Sequence, residues 1–152
     1  MVLLNSGSPD KMATHFDAAG HPNGWMTRSS SEGFFAVFGV GFSAFFIGIT
    51  YVIRLFPSST INVPNSEYWR SPEHFGEACE FLFAHSFWLG SFALLWAGAM
   101  NYLIVVANRS NPPLLSTPCV WTLSGLFLAG TIAWVAGILR FFGRAPVEKP
   151  SA

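Results

Sequence analysis

"GFFAVFGVGFSAFFIGITYVI", Gly33 to Ile53, holds no Asp, Glu, Lys or Arg. About 20 apolar helical residues cross the roughly 30 Å of hydrocarbon in a bilayer, and this stretch has that length and composition. The pattern recurs twice: no charge occurs from Ser86 to Asn108, nor from Pro112 to Leu139. Helices of a soluble domain keep a polar face at helical period, and none of these three does. The spacing predicts transmembrane helices over Phe34–Ile53, Phe87–Val106 and Val120–Leu139, and so an all-α membrane protein. Composition agrees. Of the 152 residues, 51% are hydrophobic and 11% charged, where a soluble domain carries about 25% charged residues. The net charge is zero, so no basic surface points to nucleic acid. The first partner implied is the lipid bilayer.

Three regions follow: an N-terminal segment over 1–32, a three-span domain over 33–142, and a tail over 143–152 expected to be disordered. Met1 to Ser8 has neither the basic start nor the apolar run of a signal peptide, so the first span is expected to act as its own insertion signal. With three spans, Lys11, Arg28 and Arg109 fall on one side, and Arg54, Arg70, Arg140, Arg144 and Lys149 on the other. The positive-inside rule then predicts an external N-terminus and a cytoplasmic C-terminus. Tyr51, Trp88, Tyr102 and Trp121 fall near span ends, where amphipathic rings sit at the headgroups. Trp96 and Trp134 lie deeper and are expected to pack between helices. Cys79 and Cys119 are placed on opposite sides, too far apart for a disulfide.

The N-terminal segment holds the polar stretch "MATHFDAAGHPNGW", Met12 to Trp25. Gly20, Pro22, Asn23 and Gly24 form the kind of cluster that makes tight turns. They predict a turn-rich external cap that rests Phe16 and Trp25 on the membrane surface. Two other uses stand beside this one. His15, Phe16, Asp17, Gly20, His21, Asn23 and Trp25 form a candidate surface for a ligand or partner. His15, Asp17 and His21 are also metal-ligand types, but their spacing matches no zinc signature.

Pro9, Thr14, His15, Phe16, Gly20, Pro22, Asn23, Gly24 and Trp25 also stand in a recognisable order. The segment resembles the signature of a bacterial membrane-protein family of unknown function, also found in immunity proteins against a sporulation-delaying toxin. The resemblance implies a polytopic protein of the bacterial inner membrane with this segment outside. It further implies protection against an external toxin in the immunity members. Two departures are visible. Ser8 replaces the usual Leu before Pro9, and the family's transmembrane helix ahead of the motif has no counterpart here.

The remaining candidates are weaker. "INVPNSEYWRSPE" offers Asn62, Asn65, Tyr68, Trp69 and Arg70 as a binding edge, or as turns and interfacial anchors. Ser71 and Pro72 predict a helix start leading into the second span. Glu73, His74, Glu77 and Glu80 would lie on its solvated first turns. His85 lies where that helix enters the bilayer. Intramembrane ionisable groups are functional candidates, and an imidazole there either ligates a haem-like or chlorophyll-like pigment or bonds a neighbouring helix. Asn101 is expected to bond between helices. Gly125, Ala129, Ala133 and Gly137 form a small-residue stripe of the kind that lets helices approach closely in lipid, within the monomer or against a partner or second copy. Gly39–Ser43 and Ala44–Gly48 are its counterparts in the first span.

No nucleophile with a positioned base, phosphate loop or paired intramembrane carboxylates is present. The expectation is a non-enzymatic protein without cofactor or metal. It acts either as a binding or immunity-like module through its external segment, or as an accessory structural subunit of a larger respiratory or photosynthetic complex.

Overall fold

The computed structural model describes residues 9–144. Three helices are long and apolar enough to cross a membrane: Arg28–Leu55, Phe75–Ala107 and Thr117–Phe142. The chain is thus an all-α membrane protein with one small sheet. A hairpin of strands β1 (Lys11–Phe16) and β2 (Pro22–Thr27) leads into the first span. That span comprises α1 (Arg28–Ala36), one π-helical turn (Val37–Gly41), α2 (Phe42–Val52) and a 3-10 end (Ile53–Leu55). A short α3 (Ser66–Trp69) lies in the first loop, and α4 (Phe75–Ala107) and α5 (Thr117–Phe142) are the other two spans.

All three helices outrun the hydrocarbon stretches read from the charges. The first begins at Arg28, inside the region assigned to the N-terminal segment. Its opening "RSSSE" is polar but helical, because Thr27 caps it: the Thr27 Oγ1 accepts from the Ser30 amide at 3.2 Å. The second span starts at Phe75 rather than Pro72. The amides of His74 and Phe75 both donate to the Ser71 carbonyl, so the residues before Phe75 form turns. Of the tail, Gly143 and Arg144 form a turn after α5, and 145–152 lie outside the described residues.

α4 is the central helix, packing against the first span on one side and α5 on the other. The contact with the first span is a seam of small residues. Gly39 faces Leu94 and Ala97, and Ser43 faces Gly90. The Ser43 hydroxyl donates to the Gly90 carbonyl at 2.7 Å, a bond possible only where the backbones approach closely. The π-helical turn lies in this seam through Gly39. Gly39–Ser43 therefore packs inside the monomer, while Ala44 is exposed and Gly48 has open space beside it.

α5 meets α4 through rings. Phe127 packs on Phe92 at 5.4 Å and on Trp96 at 5.2 Å. The Trp134 indole donates to the His85 carbonyl at 2.9 Å. The tight glycine is Gly130, where a Cβ would stand 2.3 Å from the Phe92 ring.

The ends of the bundle are closed by different devices. At one end the first loop caps α5: the side chains of Asn65 and Trp69 donate to the Phe142 carbonyl at 2.9 and 3.0 Å. Asn65 holds φ +53° to do so. At the other end the hairpin seats on α4 and on the α4–α5 loop. The N-terminal segment is thus a strand pair, not a run of turns. Its reversal lies at Asp17–Gly20, and Pro22, Asn23 and Gly24 belong to β2.

Candidate functional site

The hairpin exists because three anchors hold a polar, glycine-rich sequence in place. The first is its turn. The Asp17 carboxylate accepts from the amides of Ala19 and His21 at 2.9 and 2.8 Å. The His21 amide, ahead of other smaller causes, holds the Asp17 carboxyl below the usual aspartate range. The His21 imidazole stands 3.5 Å from the other carboxylate oxygen. Gly20 closes the turn at φ +88°, a conformation costly to any residue with a Cβ.

The second anchor is backbone contact with the α4–α5 loop. The Leu115 amide donates to the Gly20 carbonyl at 3.0 Å. A Cβ on Gly20 would lie 2.2 Å from the Leu115 carbonyl oxygen. The third is Asn108, just past the end of α4. Its carboxamide accepts from the Ala13 amide and donates to the Ala13 carbonyl, each at 2.8 Å, and donates to the Ile104 carbonyl at 2.9 Å. Asn108 thus imitates a neighbouring strand along the outer edge of β1. Beneath it Met12, Phe35, Ile104 and Val105 form a buried cluster, joined by Phe16, Met100 and Leu115.

The residues singled out in this segment therefore separate into two groups. Gly20 and Phe16 are structural: Gly20 is buried against Leu115, and Phe16 packs into the cluster rather than onto a membrane surface. His15, Asp17, His21, Asn23 and Trp25 are exposed, the last with 46% of its surface open. Gly24 lies opposite His15, where a Cβ would approach the His15 side chain to 2.8 Å. His15, Asp17 and His21 do not converge: among the described residues no group of three or more His, Cys, Asp or Glu is placed to hold a metal ion.

Under the hairpin lies a cavity of about 110 Å³ walled by Thr14, His15, Met26, Ser31, Phe35 and neighbouring apolar groups. Ser31 is 1% exposed, and neither its hydroxyl nor that of Thr14 has a hydrogen-bond partner. Buried hydroxyls are normally satisfied, so this pair marks the cavity as polar at two points.

A second, larger hollow of about 380 Å³ opens between α4 and α5, lined by His85, Trp88, Gly130, Ala133, Trp134 and Gly137. His85 lies against the Phe81 ring at 3.8 Å. The small-residue stripe divides: Gly125 and Ala129 are exposed, while Ala133 and the half-buried Gly137 line this hollow. The other loop is structural in its detail. Asn65 and Trp69 cap α5, and the Arg70 guanidinium donates to the Ile61 carbonyl at 2.8 Å. Asn62, Glu73, Glu77 and Glu80 are exposed, and His74 stacks on Tyr68 at 3.9 Å. Asn101 is buried with its carbonyl oxygen unpartnered. Cys79 is buried and Cys119 exposed, both as free thiols.

Sequence reasoning missed Asn108, Ala13, Ser31 and Leu115. Asn108, Ala13 and Leu115 act through contacts far away in the chain, Ser31 through a cavity that the fold creates, and none has a local signature.

A family model described as a domain of unknown function (DUF1648) matches residues 3–41. The match takes in the hairpin, α1 and the π-helical turn, so this part of the chain is similar to a membrane family whose activity is unknown. No curated protein and no solved structure matches the chain.

Proposed function

We propose that this small multi-pass protein is a non-enzymatic recognition module of a bacterial inner membrane, immunity-like in that its hairpin meets an external polypeptide. In this reading the N-terminus is external and the C-terminus cytoplasmic. The observation that carries it is the division of labour in the hairpin. Asn108, Gly20 and Leu115 fix its backbone to the bundle, while His15, His21, Asn23 and Trp25 stay open. A cap that served only to close the bundle would bury its Trp25 ring, which is instead 46% exposed. A rigid platform with an exposed Trp beside polar groups is a pre-organised binding surface, since little conformational freedom is lost on binding.

The test is capture from native membranes in mild detergent, with the wild-type chain and with His15→Ala, His21→Ala and Trp25→Ala. A polypeptide retained by wild type and lost from the variants, at unchanged thermal stability, is the expected result. Equal retention by all four chains defeats the reading.

One observation favours a second reading, an accessory subunit of a larger respiratory or photosynthetic complex. Gly125 and Ala129 present small residues outward from α5, where a foreign helix can approach closely. Here Ala129→Leu releases a co-purifying complex while the hairpin variants retain it.

A further inference from the structure

Among the described residues, only one of the hairpin's two edges is closed. Antiparallel ladders alternate hydrogen-bonded and non-bonded pairs. The Arg28 amide donates to the Asp10 carbonyl at 2.9 Å, so Asp10 and Arg28 form a bonded pair. Counting in twos along the register, Met12–Met26 is bonded, and Lys11–Thr27 and Ala13–Trp25 are not. In a non-bonded pair the N–H and C=O of both residues point away from the ladder. The outward groups of Ala13 are both taken by Asn108. Those of Trp25, on the opposite edge, have no partner among the described residues. Asn23, Trp25 and Thr27 along that edge are all exposed.

The neighbouring position carries the second observation. Met26 turns to the inner face and walls the cavity that holds the unpartnered Thr14 and Ser31 hydroxyls. A strand laid antiparallel beside β2 would bond to Trp25. Its next residue would stand opposite Met26 in a non-bonded pair, where side chains come closest. That residue would lie beside the cavity. With about 110 Å³ of space, two free hydroxyls and no carboxylate, Lys or Arg in its walls, the cavity suits a small neutral hydrogen-bonding side chain. Burying a charge there would go uncompensated.

We infer that the open edge of β2 receives an extended segment of a partner polypeptide by strand addition, with a Ser, Thr or Asn side chain opposite Met26 directed to the Thr14 and Ser31 hydroxyls. This rests on the reading of the hairpin as a recognition surface and specifies its mode: main-chain bonds at Trp25 supply affinity, and the cavity supplies selectivity. A second copy is the poorer occupant. Two-fold pairing of β2 with itself through Trp25 would set Gly24 opposite Met26, and glycine has no side chain for the cavity.

The probe is a phage-displayed library of random linear peptides, panned on the full chain in nanodiscs after subtraction on empty nanodiscs. Enriched peptides should carry Ser, Thr or Asn at one fixed position between β-forming residues. Trp25→Pro removes the outward amide without touching the β1–β2 ladder, since proline is tolerated at such edge positions. It should weaken an enriched peptide about tenfold or more beyond the effect of Trp25→Ala, the loss expected when main-chain bonds are broken. Methylating the peptide amide that faces Trp25 should have the same effect as proline, with no change to the protein's own fold. Thr14→Val with Ser31→Ala should abolish the preference for Ser over Ala in the peptide.

Three results overturn the inference. If Trp25→Ala weakens binding as much as Trp25→Pro and amide methylation does nothing, recognition is by side chains alone, and only the mode falls. If no peptide is enriched, strand addition falls, and native-membrane capture then decides separately whether the recognition reading survives. If Trp25→Cys in a Cys119→Ser background cross-links two copies without peptide, the edge is a contact between copies.

Discussion

Gly20 is the residue on which the hairpin turns, and it is constrained twice. Its φ of +88° disfavours any side chain, and its Cβ position is already occupied by the Leu115 carbonyl. Gly20→Ala should cost about 1–3 kcal/mol from the backbone conformation alone, and the clash adds to it. The expected outcome is a hairpin detached from the α4–α5 loop, read as faster exchange of the Leu115 amide while α4 stays protected. Asn108→Ala acts on the other anchor. It removes three hydrogen bonds and leaves the buried Ala13 amide and carbonyl unpaired, and each unsatisfied group costs about 1–3 kcal/mol. Loss of Ala13 amide protection would check it. Asp17 makes the turn pH-sensitive. Its carboxyl is held below the ordinary aspartate value of about 3.9. A depressed folded value means the carboxylate stabilises the turn above that pH and is lost as pH falls through its own lower value. Protection of the His21 amide, taken relative to the intrinsic exchange rate at each pH, should therefore fall at acid pH in wild type, and stay flat in Asp17→Asn.

At the scale of elements, what the sequence disclosed depended on how local the cause was. The three spans were legible because exclusion of charge from hydrocarbon is a property of each segment alone. The hairpin was not. "MATHF" and "PNGWM" hold only three β-favouring residues, Thr14, Phe16 and Trp25, and no apolar–polar alternation, and Pro22, Asn23 and Gly24 read as turn residues. They become a strand because Asn108, 95 residues from Ala13, supplies the edge, and because Met12 finds Phe35, Ile104 and Val105. Helix packing was half legible. Gly39 and Ser43 do form the close seam with Gly90, but on α5 the tight glycine is Gly130, outside the four-residue stripe. A small residue can be recognised from sequence, but the direction it faces depends on the crossing of the helices. The two glycine classes should separate experimentally. Gly130→Leu drives bulk into the Phe92 ring, and overpacking of this kind costs about 1–3 kcal/mol. Gly125→Leu meets open space and should leave thermal unfolding in detergent unchanged.

For the whole molecule, the arrangement of ends converts orientation into one question. The hairpin, the α4–α5 loop and the start of α5 share one end, and the first loop and the end of α5 share the other. Whichever side holds the hairpin also holds Cys119, in the first turn of α5. Cys119 is exposed and Cys79 is buried at the opposite end, so the native chain already carries a single reporting thiol. The proposed orientation, read from the charge asymmetry of the loops, has the hairpin outside. A membrane-impermeant maleimide should then label wild type in intact spheroplasts, and Cys119→Ser should remove the label. Labelling confined to inside-out vesicles would put the hairpin in the cytoplasm. An external toxin could not then reach the His15–Trp25 surface, and strand addition at β2 would need a cytoplasmic partner.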